Sequence, residues 1–307
     1  MDKSAVLDIL RSTQEIPNSG VLSLADNGVH TVARMFYGSS SHEIPISELA
    51  AARLGVALAD LSWTDADSKA SKTLLEEFRM ASEAVNLVLT CFSKSETFGD
   101  GHRLMTKLSE VSSVPVVKIA DDVYDWQSAL AHLVGFQEHL GDLPGRQLVV
   151  SWGFGSHFVH PTTAHSLVLA GLYSGLNVRV VSPPEFSIMN RVRRQASKIA
   201  SKDKISFEKS DDFEPSFSDA DAVFAANWLR LDDYNHPERH PTSARSYTDW
   251  HFTPGTLPKD CVFSTEPPLE NPLLVSDELM HDPRNVSSSW LARRVRVLMA
   301  SMLHALK

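Results

Sequence analysis

Cysteine is nearly absent from this chain: Cys91 and Cys261 are the only two in 307 residues. Two thiols that far apart build no disulfide framework and point to a reducing, cytoplasmic setting. No apolar run approaches the roughly 20 residues that cross a bilayer. The N-terminus also lacks the charged, apolar, small-residue order of a secretory signal, so no membrane partner is expected. Positive charge is scarce as well, with 29 Lys and Arg against 38 Asp and Glu and a formal charge of -9. That balance argues against nucleic acid or an anionic membrane as partner, while leaving room for a local basic pocket that takes a small anion. Internal repeats and low-complexity tails are missing too. What is present, 43% hydrophobic and 22% charged residues, suffices for a large core divided between two domains of about 150 residues each.

After an amphipathic start at Ala5–Arg11, strand and helix patterns alternate. Strands are expected at Thr31–Tyr37, Asn86–Cys91 and Pro115–Ile119, with helices at Ser47–Leu54, Ser71–Ala84, His102–Val111 and Trp126–Leu140. Gly141, Pro144 and Gly145 then stop the helix and mark a hinge. The alternation resumes with strands at Gln147–Trp152, Asn177–Ser182, Ala222–Ala226 and Asp260–Ser264, and helices at Pro161–Ser174, Ile188–Ala200 and Ser287–Leu306. Such alternation implies α/β architecture with two doubly wound parallel sheets. The expected division is 1–140, 141–285 and a C-terminal helix, 286–307, that packs back on the first domain. Leu229–Pro254, polar and rich in His and Pro, reads as a long functional or mobile loop.

Three segments carry candidate chemistry. FYGSSSHEIPISELAAARLG (Phe36–Gly55) reads as strand, serine loop and helix, a place where free N–H groups and the positive helix end meet an anion. An ordinary N-cap gives the same pattern. Gly153 and Gly155 form a G-x-G after a strand, yet the third glycine of a dinucleotide loop is Phe158 and the next strand ends in Ser182-Pro183 without an acid, so NAD is not expected. His157, His160, His236 and His240 lie in loops where metal-ligand spacing has no basis, and read as surface or substrate-loop histidines. Asp121, Asp122 and Asp125 precede a helix, where carboxylates complement the dipole or handle protons. Cys91, at a strand end, reads as buried.

The order of segments resembles the aspartate/ornithine carbamoyltransferase family over nearly the whole chain. The resemblance rests on FYGSSSHEIPISELAAARLG, DDVYDWQSALAHLVGFQEHLGDLPG, SLVLAGLYSGLNVRVVSPPEF and STEPPLENPLLVSDELMHDPRNV. The VVSWGF segment and its longer loop are similar to the acetylornithine and succinylornithine branch. The resemblance implies two α/β domains of transcarbamylase type joined by interdomain helices, assembled as a homotrimer. The first domain would bind carbamoyl phosphate and the second an amino-acid-like acceptor, without cofactor or metal. It places Ser39, Ser40 and Ser41 in the phosphate loop, and Ser128, Trp228, Arg230 and Pro267 among substrate-binding residues.

The catalytic positions implied are His42, Asp125, Glu266 and Arg294. In the family pattern the phosphate-loop arginines fall on His42 and Ile44, a loop threonine on Glu43, the carbonyl-polarising His on Asp125, the Gln on Ser128, a strand-end Arg on Cys91 and the loop Cys on Glu266; Arg294 retains the arginine near the carbonyl oxygen. Replacing bidentate guanidinium groups is not conservative at a dianion site. Ala226, where ornithine enzymes carry an acid, argues against ornithine as acceptor. The reading is a divergent carbamoyltransferase-like enzyme. Its alternatives are a transcarbamylase fold repurposed for other chemistry in an acidic cleft, or a catalytically silent homologue.

Overall fold

Leu87–Phe92 (LVLTCF) is buried at every position, which is how a strand covered on both faces reads. In the computed structural model, which describes residues 1–24, 28–38, 42–61, 72–93 and 98–307, it is β3 of a four-stranded parallel sheet. The order is β2-β1-β3-β4, where β1 is Thr31–Tyr37, β2 Ala57–Asp60 and β4 Val116–Asp121. The accompanying helices are α1 (Lys3–Glu15), α2 (Glu43–Leu54), α3 (Lys72–Ser82), α4 (Asp100–Val111) and α5 (Trp126–Leu140). Ala33, Met35, Val88 and Phe92 of β1 and β3 pack with Leu74 and Phe78 of α3 and Leu104, Met105 and Leu108 of α4 into one apolar cluster. α2 is pinned at its start by Arg34, whose guanidinium pairs with Asp60 of β2, donates to Glu48 at 3.1 Å and to Ser47 Oγ at 3.0 Å.

The second sheet has five parallel strands in the order β7-β6-β5-β8-β9. These are β5 (Gln147–Trp152), β6 (Asn177–Val181), β7 (Phe207–Ser210), β8 (Ala222–Ala226) and β9 (Val262–Thr265), with α6 (Thr162–Tyr173) and α7 (Asn190–Asp203) between them. Short helices α8 (His240–Ala244) and α9 (Asp277–Met280) and the long α10 (Trp290–Ala305) complete the chain. The expected fold class, α/β with two parallel sheets, is therefore present. β2 and β7 are absent from the expectation, and both are exposed four-residue edge strands. The interval 229–254 holds α8 and several single turns rather than plain loop. Trp250 and Phe252 in it are buried, because aromatic surface supplies the packing that strand pairing does not.

Contacts divide the chain into a first-sheet unit, Asp8–Gln127 with Leu291–Lys307, and a second-sheet unit, Met1–Leu7 with Ser128–Trp290. Sequence places the hinge at Gly141, whereas this division falls before α5 is complete. From Ser128 onward α5 is buried at nearly every turn, and His132 on it meets Ser264 Oγ of β9 at 2.8 Å. Among the described residues, no helix is long and apolar enough to cross a membrane.

Candidate functional site

In an open parallel sheet the strand order reverses beside one strand, and ligands bind beyond the carboxyl ends there. In the first-sheet unit that place lies between β1 and β3. The chain leaving β1 enters α2 through His42, whose carbonyl accepts the Ile46 N–H at 3.0 Å. Ser39, Ser40 and Ser41 lie outside the described residues. Glu43 opens α2, where the helix dipole favours its charge, and its side chain is buried. It meets Arg294 of α10: Arg294 Nη1 lies 3.0 Å from Glu43 Oε1, and Nη2 donates to Asp125 Oδ2 at 3.1 Å. Arg294 is only 2% exposed. Burial opposes its charge, but Asp125 and Glu43 more than offset this and hold the guanidinium above its ordinary pKa.

Three predicted positions, His42, Asp125 and Arg294, thus belong to the same unit, and two of them are joined directly. Glu43, read from sequence only as a charge that repels phosphate, is the third member of the ion cluster. With all three groups ionised the trio carries one net negative charge. Cys91 is fully buried nearby. Burial, then the fields of Glu43 and Asp125, push its thiol up to about 12, so it is no thiolate nucleophile at neutral pH.

The acidic run after β4 divides into separate tasks. Asp122 accepts the N–H groups of Gly99, Gly101 and His102 at 2.6, 3.2 and 2.9 Å, closing the start of α4. Asp121 meets His102 Nδ1 at 2.7 Å and accepts from Lys118 Nζ at 2.8 Å. Burial works against its charge, yet these partners hold its carboxyl down at about 2.

In the second-sheet unit the strand order reverses beside β5, next to β8. Asn227, the residue after β8, donates to the carbonyls of Gly155 and His157 at 2.8 and 3.0 Å. Asn271 Oδ1 accepts from Ser156 N at 2.9 Å. His240 Nε2 donates to Asn227 Oδ1 at 2.9 Å, and its Nδ1 is buried without a partner. Desolvation pushes this imidazole down to about 4, so it is neutral at pH 7. The two glycines of the G-x-G have a packing reason. A Cβ on Gly153 would stand 2.4 Å from Leu274 Cδ1, and one on Gly155 2.7 Å from Asn271 Nδ2.

Asn227, Asn271, Thr265, Glu266 and Pro267 border a small cavity of about 10 Å³, room for one water. Glu266 is half-buried and accepts from the Thr163 hydroxyl at the start of α6. The other expected substrate-binding residues are engaged elsewhere. The Trp228 indole N–H donates to the Phe186 carbonyl at 2.7 Å, Arg230 pairs with Asp233 at 2.7 Å, and Ser128 is buried on α5. Asn227 and Asn271 carry no charge and no motif, and were missed; their only signal is an amide just beyond a strand and another between Glu270 and Pro272. His236 faces Glu238, and the His160 ring lies tilted against that of Tyr234. Among the described residues, no three potential ligands gather for a metal.

Residues 159–305 match the family model described as Aspartate/ornithine carbamoyltransferase, Asp/Orn binding domain. An N-acetylornithine carbamoyltransferase of Xanthomonas campestris pv. campestris is 25% identical over 207 residues, 65% of this chain and 60% of the relative. An ornithine carbamoyltransferase of Ignicoccus hospitalis is 24% identical over 255 residues, 83% of this chain and 78% of the relative. The alignment thus spans about 60% of the length of the N-acetylornithine relative. A solved N-acetyl-L-ornithine transcarbamylase mutant, complexed with carbamyl phosphate and N-succinyl-L-norvaline, superposes with a TM-score of 0.84 at 20% identity, covering 99% of this chain and 97% of that one. An acetylornithine transcarbamylase complexed with acetylcitrulline gives 0.84 at 21%, covering 99% and 96%. At such identity the structural likeness speaks for the fold. By that likeness together with the sequence match over its second half, the chain is similar to the aspartate/ornithine carbamoyltransferases, and among them to N-acetylornithine carbamoyltransferases.

Proposed function

We propose that this chain is a carbamoyltransferase-like enzyme that transfers a carbamoyl or closely related group to the amine of an amino-acid-like acceptor. The observation that carries the reading is Arg294, a buried and permanently charged donor in a chain of the family fold. In the reaction the amine nitrogen attacks the carbonyl carbon and the C–N bond forms. Negative charge gathers on the carbonyl oxygen, the bond to the phosphate oxygen breaks with its electrons leaving on phosphate, and the nitrogen loses a proton. A buried guanidinium beside the developing oxyanion stabilises that state far better than water does. His42 and Ser39, Ser40 and Ser41 would take the donor's phosphate, and Glu266 with Pro267 would border the acceptor. The proposed assembly is a homotrimer in the cytoplasm, organised as domains 1–140 and 141–285 with the helix 286–307.

One feature of the proposed site bears directly on the donor. Arg294 already holds Glu43 and Asp125, and a phosphate dianion beside two carboxylates is disfavoured. This favours a second reading, in which the acidic pair receives a cationic group and the fold serves other chemistry. Incubation with carbamoyl phosphate and a panel of amino acids and their N-acylated forms tests both. Phosphate release that depends on one amine, with a matching ureido product, supports the first reading; no release with any amine overturns it. Thermal stabilisation by amines or guanidines, without any by carbamoyl phosphate, supports the second. Stabilisation by carbamoyl phosphate alone overturns that second reading.

A further inference from the structure

The outer edge of the second sheet has an unusual charge pattern. Between α7 and β7 lies an open groove of about 1280 Å³, wider than the roughly 300–1,000 Å³ of small-molecule pockets. Arg191, Arg193, Arg194, Lys198 and Lys202 of α7 line it together with Lys209 of β7. None of the five α7 cations forms an ion pair with a described residue, and Arg193 Nε is buried without an acceptor. Glu208, the carboxylate in the lining, is already held by Arg179 at 3.0 Å. Such self-repulsion is unfavourable unless something answers it.

The sign inverts immediately after β7. Ser210–Asp221 (SDDFEPSFSDAD) carries five acids and no base. Asp219 and Asp221 are paired with Arg179 and Arg146. Asp211, Asp212 and Glu214 are exposed and form no ion pair with a described residue. β7 itself pairs only with β6, so its outer row of backbone N–H and C=O groups has no strand partner.

We propose that this edge is a contact between two copies of the chain, related by a two-fold axis, with β7 pairing antiparallel to the same strand of the second copy. Placing the axis at Glu208, whose charge Arg179 already answers in each copy, keeps directly opposed side chains on the same face of the sheet. The same direction carries Asp211 and Asp212 towards the partner subunit's Lys202 and the partner subunit's Lys204. Every contact is then made twice, as a two-fold interface requires. An acidic peptide or a nucleic acid in the groove would neutralise the basic half and leave Asp211, Asp212 and Glu214 unanswered. A second copy answers both halves.

Sedimentation velocity on the full chain tests this. At about 50 mM salt the mass should be twice that at about 500 mM, because exposed complementary charges are screened. Lys198→Glu with Lys202→Glu should weaken the association at least about tenfold, and so should Asp211→Lys with Asp212→Lys. An equimolar mixture of these two doubly substituted proteins should recover it, since each basic face then meets an acidic one. That rescue also shows that both are folded. An unchanging mass at all salt concentrations, or an association that neither charge reversal moves, overturns the proposal. So does binding of poly-glutamate or heparin that Lys198→Glu with Lys202→Glu abolishes while the mass stays constant.

Discussion

Around Arg294 the first-sheet unit closes its polar interior with full charges, while around Asn227 and Asn271 the second-sheet unit closes its own with amides, carbonyls and one neutral imidazole. Both arrangements sit where a parallel sheet offers a ligand site, and both immobilise chain segments leaving the strands. They differ in what removal of one member leaves behind. Deleting a partner from the ionic cluster strands a charge in a low-dielectric interior, where it is costly. Deleting an amide leaves a dipole unsatisfied, a smaller loss.

The sharpest break is Arg294→Met, which removes the cation that Glu43 and Asp125 share. Chemical denaturation should register a loss of about 3–5 kcal/mol. Combining it with Glu43→Gln and Asp125→Asn should restore much of that loss; no restoration would show that packing of the guanidinium, rather than its charge, holds the cluster.

The neutral half is tested by pH. His240 is depressed to about 4 when folded against 6.5 when unfolded, so between these values the unfolded chain binds the proton and the folded one does not. Stability should therefore fall as pH drops through that window, by about 3 kcal/mol in all. His240→Gln keeps a donor for Asn227 and should flatten this part of the profile, read from denaturant midpoints at successive pH values.

Asp121 supplies a contrasting profile in the ionic half. Its folded value of about 2 lies below the unfolded one, so its contribution is present above about pH 4 and lost as pH falls through 2. Asp121→Asn should cost about 2 kcal/mol at pH 7 and nothing extra near pH 2. The smallest effect belongs to a pair outside both clusters, the exposed bridge from Arg79 of α3 to Glu83 just beyond its end. Arg79→Ala should change the unfolding free energy by no more than about 0.5 kcal/mol, and a larger change would mean that surface charge weighs more in this protein than the burial contrast implies.

The sheet architecture was legible because buried strands such as β3 and β8 are continuous apolar runs and their helices carry clear stops. β2 and β7 escaped notice for the opposite reason. ALAD and FEKS are half polar, four residues long and lie at sheet edges, where neither alternation nor burial marks a strand. At the site, Arg294 was accessible through resemblance, but its partner was not. Glu43 sits at the far end of the chain from it, and only folding shows that a charge read as repelling a ligand instead serves an arginine. Gly153 and Gly155 were visible as a loop signature, while their cause, the close approach of Leu274 and Asn271, is a tertiary fact that no spacing records.

The three N–H groups that Asp122 gathers at the start of α4 have a further consequence. A helix end of this kind ordinarily competes for whatever anions the solution offers. Here the occupant is tethered by the backbone, so it is present at an effective concentration on the order of millimolar or above without depending on any metabolite. Phosphate in solution would have to outcompete a carboxylate that never diffuses away. The beginning of α4 is thus insensitive to the anion supply of its surroundings, and any anion response of the first-sheet unit has to arise at another position.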